Sequence, residues 1–239
     1  MTGKPAMSCS PIVDRFVTTC RESLAAGPAR MRELVERAIR EPSDLIEALE
    51  PPDIPGMRTL YRADDLTILH VVWAPKLNVP PHEHRMWAVI GICCGCEVNR
   101  FWRRAQPIGL RSAGEKTLHA GDAALLEASV IHSVSNPLAR TTGAIHVYGG
   151  DFFGIGRSEW ASEDAPEQPF DVQRALQRFD RGDDVKRSAV AAARHADLTA
   201  LAVWQPAHET VVHQVRRRKE LAIWASSSGP GVSNPRDPY

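Results

Sequence analysis

Apolar residues at Ile12, Phe16, Val17, Cys20 and Leu24 recur at helical spacing, opened by Ser10-Pro11 and closed by Gly27-Pro28. Met31, Leu34, Val35, Ala38 and Ile39 repeat the pattern up to Pro42, and Ser43 can cap a short third helix through Leu49. Residues 1–56 are therefore predicted to be helical. From Met57 the period shortens: runs at 66–73, 87–93, 96–102, 116–119, 123–126, 130–134 and 144–148 are rich in β-branched and aromatic residues and separated by Gly, Pro or Asn. Many short strands without intervening helices predict a β-sandwich or barrel. Past Trp160 the chain turns acidic and proline-containing, and helices are predicted over 170–180, 184–204 and 207–225, followed by a Ser/Gly/Pro-rich tail over 226–239 expected to be disordered.

Composition narrows the classes. The chain has 239 residues, of which 29 Lys+Arg balance 29 Asp+Glu, so no long-range field draws it to nucleic acid or to a membrane surface. The one basic run, Arg216 to Lys219, reads as the solvated face of a helix. The apolar stretch 87–96 falls well short of the roughly 20 residues of a membrane span, and the first residues lack the apolar segment of a secretory signal. A cytoplasmic location is expected, with the 5 cysteines reduced. Cys93, Cys94 and Cys96 have no second pair at zinc-finger spacing and read as small packing residues around a turn at Gly95.

Among 9 histidines, position decides. His82 and His84 are two apart at a strand start, with Pro80-Pro81 preceding them as punctuation and an apolar strand run following, and a spacing of two on a strand puts both imidazoles on one face. His132 follows in Gly121-Asp-Ala-Ala-Leu-Leu-Glu-Ala-Ser-Val-Ile-His132-Ser-Val-Ser-Asn136. A glycine–aspartate turn, a strand and His-x-x-x-Asn resemble the second motif of the cupins, as His-x-His resembles the core of the first. The resemblance implies a mainly β fold, a cupin double-stranded β-helix (jelly-roll) barrel over 57–157, with α-helical additions at the N-terminal (1–56) and C-terminal (158–225) sides and the tail beyond.

Cupins commonly carry a carboxylate four or five residues after the second histidine, where this chain has Ala88 and Val89. Three neutral imidazoles leave a divalent ion its full +2 charge, suited to anionic ligands. That departure, with Trp73, Pro80-Pro-His-Glu-His84, Trp87-Ala-Val-Ile-Gly91, Gly95-Cys-Glu97, Ile131-His-Ser-Val-Ser-Asn136 and Ile145-His-Val-Tyr-Gly149, resembles the thiol dioxygenases of the cysteine and 3-mercaptopropionate types. These enzymes add both atoms of O2 to the sulfur of a small thiol acid, giving a sulfinate.

The resemblance implies that His82, His84 and His132 bind Fe(2+), that Tyr148 and His146 are the catalytic pair, and that Trp87 and either Arg157 or Arg62 bind substrate. A guanidinium suits the carboxylate because it offers two parallel charged hydrogen bonds. Arg157 matches the mercaptopropionate type and Arg62 the cysteine type. The family serine two residues before His146 is replaced by Ala144, leaving Ser133, Ser135 or a water to complete the hydrogen-bond chain. Val89 stands where animal cysteine dioxygenases carry the cysteine that crosslinks to tyrosine, so no crosslink is expected. The expected partners are thus a small thiol and O2, without nucleic acid or membrane, and the oligomeric state stays open. Two rival readings are a metal-binding cupin sensor or scaffold without turnover, and another metal-dependent cupin enzyme.

Overall fold

The computed structural model describes residues 10–40, 43–49 and 54–179. The helices predicted over 184–204 and 207–225 and the tail at 226–239 lie outside the described residues. At the N-terminal side, α1 (Pro11–Glu22), a 3-10 turn (Leu24–Ala26), α2 (Pro28–Ala38) and α3 (Asp44–Ala48) follow the predicted spacing. Proline fits the first turn of α1 and α2, where its missing N–H costs no hydrogen bond. Ser43 caps α3, its hydroxyl accepting from the Ile46 N–H at 3.1 Å. No helix among the described residues is long and apolar enough to cross a membrane.

The strands are β1 (Gly56–Arg62), β2 (Thr67–Trp73), β3 (Asn78–Glu83), β4 (Ala88–Cys94), β5 (Cys96–Arg104), β6 (Leu110–His119), β7 (Ala123–Leu126), β8 (Ile131–Ser135), β9 (Thr142–Tyr148), β10 (Ser158–Glu159) and β11 (Gln168–Pro169). They form a five-stranded sheet, β1-β2-β9-β4-β7, and a six-stranded sheet, β11-β10-β3-β8-β5-β6, antiparallel throughout. From β2 onward the chain repeatedly crosses from one sheet to the other. That winding is the double-stranded β-helix, with α1 to α3 added on one side and a helix, α4, over 172–179 on the other.

The five-stranded sheet is buried on both faces, which explains why β2, β4 and β9 read as unbroken apolar runs instead of alternating ones. Its outer face, with Ile68, Val89, Cys93, Ile145 and Val147, packs on Val13, Phe16, Met31, Val35 and Ile39 of the helical layer. Its inner face, with Leu69, Val71, Trp73, Ala88, Ile90, Ile92, Ala144 and Tyr148, closes on Val79, Leu118 and Val134 of the other sheet. Asn136 ties the strand ends together. Its Nδ2 donates to the carbonyls of Ala74 (3.0 Å) and Arg140 (2.8 Å), while its Oδ1 accepts from the Leu138 N–H at 3.0 Å.

The structure revises one boundary that positions the histidines. Pro80-Pro81 read as punctuation ahead of a strand start, yet both lie inside β3, and His82 and His84 come at that strand's end. Proline cannot donate to a ladder, and β3 accommodates the pair with a register shift between Val79 and His82. The cysteines around the Gly95 turn are unpaired and mostly buried, and burial pushes the Cys93 thiol up to about 12.

Helix α2 lies so close to β4 that a side chain at Gly91 would meet Val35 and Ile39, whose Cδ1 is 2.9 Å from the added Cβ. Gly91→Ala is expected to lower unfolding free energy by about 1–3 kcal/mol. Urea denaturation measures it, and an unchanged midpoint would mean that the helical layer yields without cost.

Candidate metal centre and its surroundings

Strand β3 pairs with β8 so that His82 lies opposite His132, and the chain then carries His84 to the same side. The three side chains are buried, and their candidate ligand nitrogens all lie within 4.8 Å of one another. The ring centroids stand 4.7 to 5.1 Å apart. Two tautomers are set by neighbours. The Nδ1 of His82 lies 2.9 Å from the Pro80 carbonyl, and the Nδ1 of His132 lies 2.7 Å from Asn99 Oδ1; both partners only accept, so each Nδ1 donates. The Nε2 atoms of these two rings are therefore bare lone pairs.

His132 Nε2 then faces His84 Nε2 at 3.0 Å. Burial pushes the imidazoles toward the neutral form, His82 down to about 4 and the other two well below their ordinary value, with their mutual proximity adding to the effect. Neutral imidazoles whose lone pairs converge in an apolar interior are the donor set of a divalent cation. The residues present therefore fit the metal that the sequence implies.

Around this cluster the walls are aromatic. The Tyr148 ring is 5.0 Å from that of His84 and 4.4 Å from that of Phe152; Phe170 is 5.8 Å from His82. Tyr148 OH and His146 Nδ1 are 2.9 Å apart, and burial raises the phenol's pKa. Arg157 is buried with its guanidinium between the rings of Phe152 (4.2 Å) and Phe170 (4.1 Å). One nitrogen donates to the Phe152 carbonyl; Nε and Nη2 have no protein partner. Burial lowers its pKa to about 10, still charged at neutral pH.

The structure does not gather every predicted residue here. Arg62 is half exposed, and its Nε and Nη2 donate to Asp151 at 2.8 Å and 2.8 Å. Trp87 is also misplaced by the sequence reading. It has the parity of Val89 and Cys93 and packs with them on the helical face of the sheet, its indole against the Gly149 backbone. Trp73 is the indole on the inner face, 6.0 Å from His146 and 5.2 Å from Phe179. Of the proposed substitutes for the family serine, Ser133 accepts from the Trp102 indole at 3.0 Å instead.

Three polar residues escaped the sequence reading. Asn99 and Glu97 share the inward parity of β5, and Asn99 Nδ2 donates to Glu97 Oε1 at 3.0 Å. The available signal was a carboxylate and an amide alternating with Cys96 and Val98 at the start of β5. Glu83, between the two histidines in sequence, faces away from them and is clamped by Arg85 (2.6 Å) and Arg104 (2.9 Å). Burial alone would raise its pKa, but these two hydrogen bonds hold it below the usual carboxylate value.

Two outcomes follow from this wiring. Asn99→Ala should weaken divalent-metal affinity about 10–100-fold; competition against a chelator measures it, and unaltered affinity would reduce Asn99 to packing. The metal-free protein should lose stability as pH falls below 6.5 toward about 4, because His70 and His82 are depressed to about 4 in the fold and the unfolded chain takes up their protons first. Urea midpoints at pH 7.5, 6 and 5 test this, and a flat profile would contradict it.

No family model matches the chain. Among solved structures it is similar to an RmlC-like cupin with a double-stranded β-helix fold from Methanocaldococcus jannaschii, at 12% identity over 41% of this chain and 81% of that one, with TM-score 0.34. A cupin superfamily protein of Desulfitobacterium hafniense shares 16% identity over 47% of this chain and 93% of that one, with TM-score 0.36. The Cnp3 cupin domain of Schizosaccharomyces pombe shares 9% identity over 41% and 61%, with TM-score 0.34. The chain's own strand order makes it a double-stranded β-helix, with a three-histidine group that could hold a metal ion inside.

Proposed function

We propose that the protein is a mononuclear non-haem iron(II) thiol dioxygenase acting on a small thiol acid of the 3-mercaptopropionate or cysteine kind. The observation that carries the reading is the pairing of a carboxylate-free, three-histidine cluster with a buried, half-unpaired guanidinium in the same aromatic chamber. His82, His84 and His132 would hold ferrous iron, which would supply the template on which sulfur and O2 meet and relay electrons from sulfur to O2. The overall conversion, thiolate plus O2 to sulfinate, consumes both oxygen atoms and needs no further reductant.

Within this reading each residue has a defined task. Arg157 Nε and Nη2 receive the substrate carboxylate. Neutralising a buried, incompletely paired cation makes that contact favourable where an exposed ion pair would contribute little. Phe152 and Phe170 fix the plane of the guanidinium and exclude water. Tyr148 presents its hydroxyl on the inner face next to His84, and His146 holds that hydroxyl from behind. Its high pKa keeps the phenol protonated at neutral pH, so it orients by hydrogen bonding.

Protein loaded anaerobically with iron should consume one O2 per sulfinate formed with at least one of 3-mercaptopropionate, cysteine or mercaptosuccinate, and His82→Ala should abolish this. Arg157→Ala should raise KM for a thiol acid about 10–100-fold, the loss expected for charged hydrogen bonds, yet leave cysteamine, which has no carboxylate, unaffected. Arg62→Ala serves as the control and should leave KM within about twofold, as its side chain is an exposed pair with Asp151. Thiol binding without O2 uptake would overturn the enzymatic reading and leave a metal-binding cupin.

A further inference from the structure

The serine missing at Ala144 leaves His146 without the outer partner that the resemblance implies. The structure supplies a different one. Glu97 is fully buried, its Oε2 has no hydrogen-bond partner, and that atom lies 3.7 Å from His146 Nε2, which is likewise without a hydrogen bond. Both are buried polar atoms without a hydrogen bond, brought within ion-pair distance of each other in an apolar barrel. The separation is longer than a hydrogen bond, but too short for a water directly between them, and the electrostatic preference it imposes is strong in a low-dielectric interior.

We propose that Glu97 is the positioning residue that sets the tautomer of His146, and through it the direction of the Tyr148 hydrogen bond. A carboxylate oxygen facing Nε2 favours the proton on Nε2. His146 Nδ1 is then the acceptor, and the 2.9 Å contact to Tyr148 is the phenol donating its O–H to the imidazole. The oxygen of Tyr148 keeps its lone pairs for the chamber. A serine hydroxyl, able to donate or accept, imposes no such choice.

The same carboxylate reaches the candidate metal centre from its other oxygen. Glu97 Oε1 accepts from Asn99 Nδ2 at 3.0 Å, which turns Asn99 Oδ1 toward His132 Nδ1 at 2.7 Å. One buried side chain thereby sets two proton positions: Nδ1–H on His132, leaving Nε2 bare for a metal, and Nε2–H on His146, leaving Nδ1 bare for the phenol.

The test rests on the positions of these residues, not on turnover, so it stands apart from the dioxygenase reading. Long-range 15N–1H NMR on the Zn(II)-loaded protein, which is diamagnetic, reports the His146 tautomer directly. Wild type should show Nε2–H, whereas Glu97→Gln, whose amide keeps its oxygen on Asn99 and turns its NH2 toward His146, should show Nδ1–H. Zinc affinity of Glu97→Gln should stay within about threefold of wild type. If the protein turns over thiols, the same variant should lower kcat about tenfold or more with KM unchanged. Nδ1–H in wild type, or an unaltered tautomer in Glu97→Gln, would overturn the proposal whether or not any thiol is oxidised; an altered tautomer without thiol oxidation in wild type would sink only the dioxygenase reading. Should Glu97→Gln fail to fold, the wild-type spectrum alone decides.

Discussion

Three neutral imidazoles converging within an apolar barrel form the constraint on which the rest depends. The bare Nε2 of His132 stands 3.0 Å from His84 Nε2, close enough to accept the ring proton of His84 or to share a cation with it. A net positive charge on the three rings is opposed by burial. The surroundings are built to preserve that state, since the Pro80 carbonyl and the Asn99 amide each hold the opposite ring proton in place. Rigid positioning comes from the sheets: His82 and His132 face each other across a ladder, and Asn136 pins the loops at the ends of the same strands.

Much of this was legible in the residues. Helical spacing before Pro42, the His-x-His, and the Gly-Asp turn ahead of His132 are local signals, carried by periodicity or by a few adjacent residues. The parts that were not legible depend on parity and on distant partners. Trp87 sits one residue from the inner-face Ala88, and nothing short of the sheet's own pleat distinguishes an inward from an outward tryptophan when both faces are buried. Arg62 meets Asp151 across 89 residues, a separation no spacing rule covers. The diproline in β3 reads as a break because proline breaks most ladders, and here a register shift absorbs it. Glu97 was visible only as one letter of a motif, since its meaning lies in two orphaned atoms brought together by folding.

Two buried carboxylates show how the polar groups of the protein are divided. Glu83 faces outward into an arginine clamp that also draws in Glu167 and Ser158, tying the end of β3 to the chain beyond the barrel. Glu97 faces inward and couples Asn99 with His146. Two carboxylates of equal charge therefore have opposite employment: one stiffens the scaffold at its rim, and the other governs where protons rest within it. The difference is set by strand parity and by the arginines within reach.

The guanidinium sandwich joins parts of the chain with different origins. Phe152 and Arg157 leave the barrel directly after β9, whereas Phe170 arrives after β11, past the last pairing of the six-stranded sheet. The histidines of the candidate metal centre sit entirely on barrel strands and their immediate ends. In the proposed enzyme, reactivity and selectivity would thus come from separate stretches: one segment could drift in length and shape, altering which anions are admitted, while the histidine wall stayed as it is. A fold organised in this way can change its diet without relearning its chemistry.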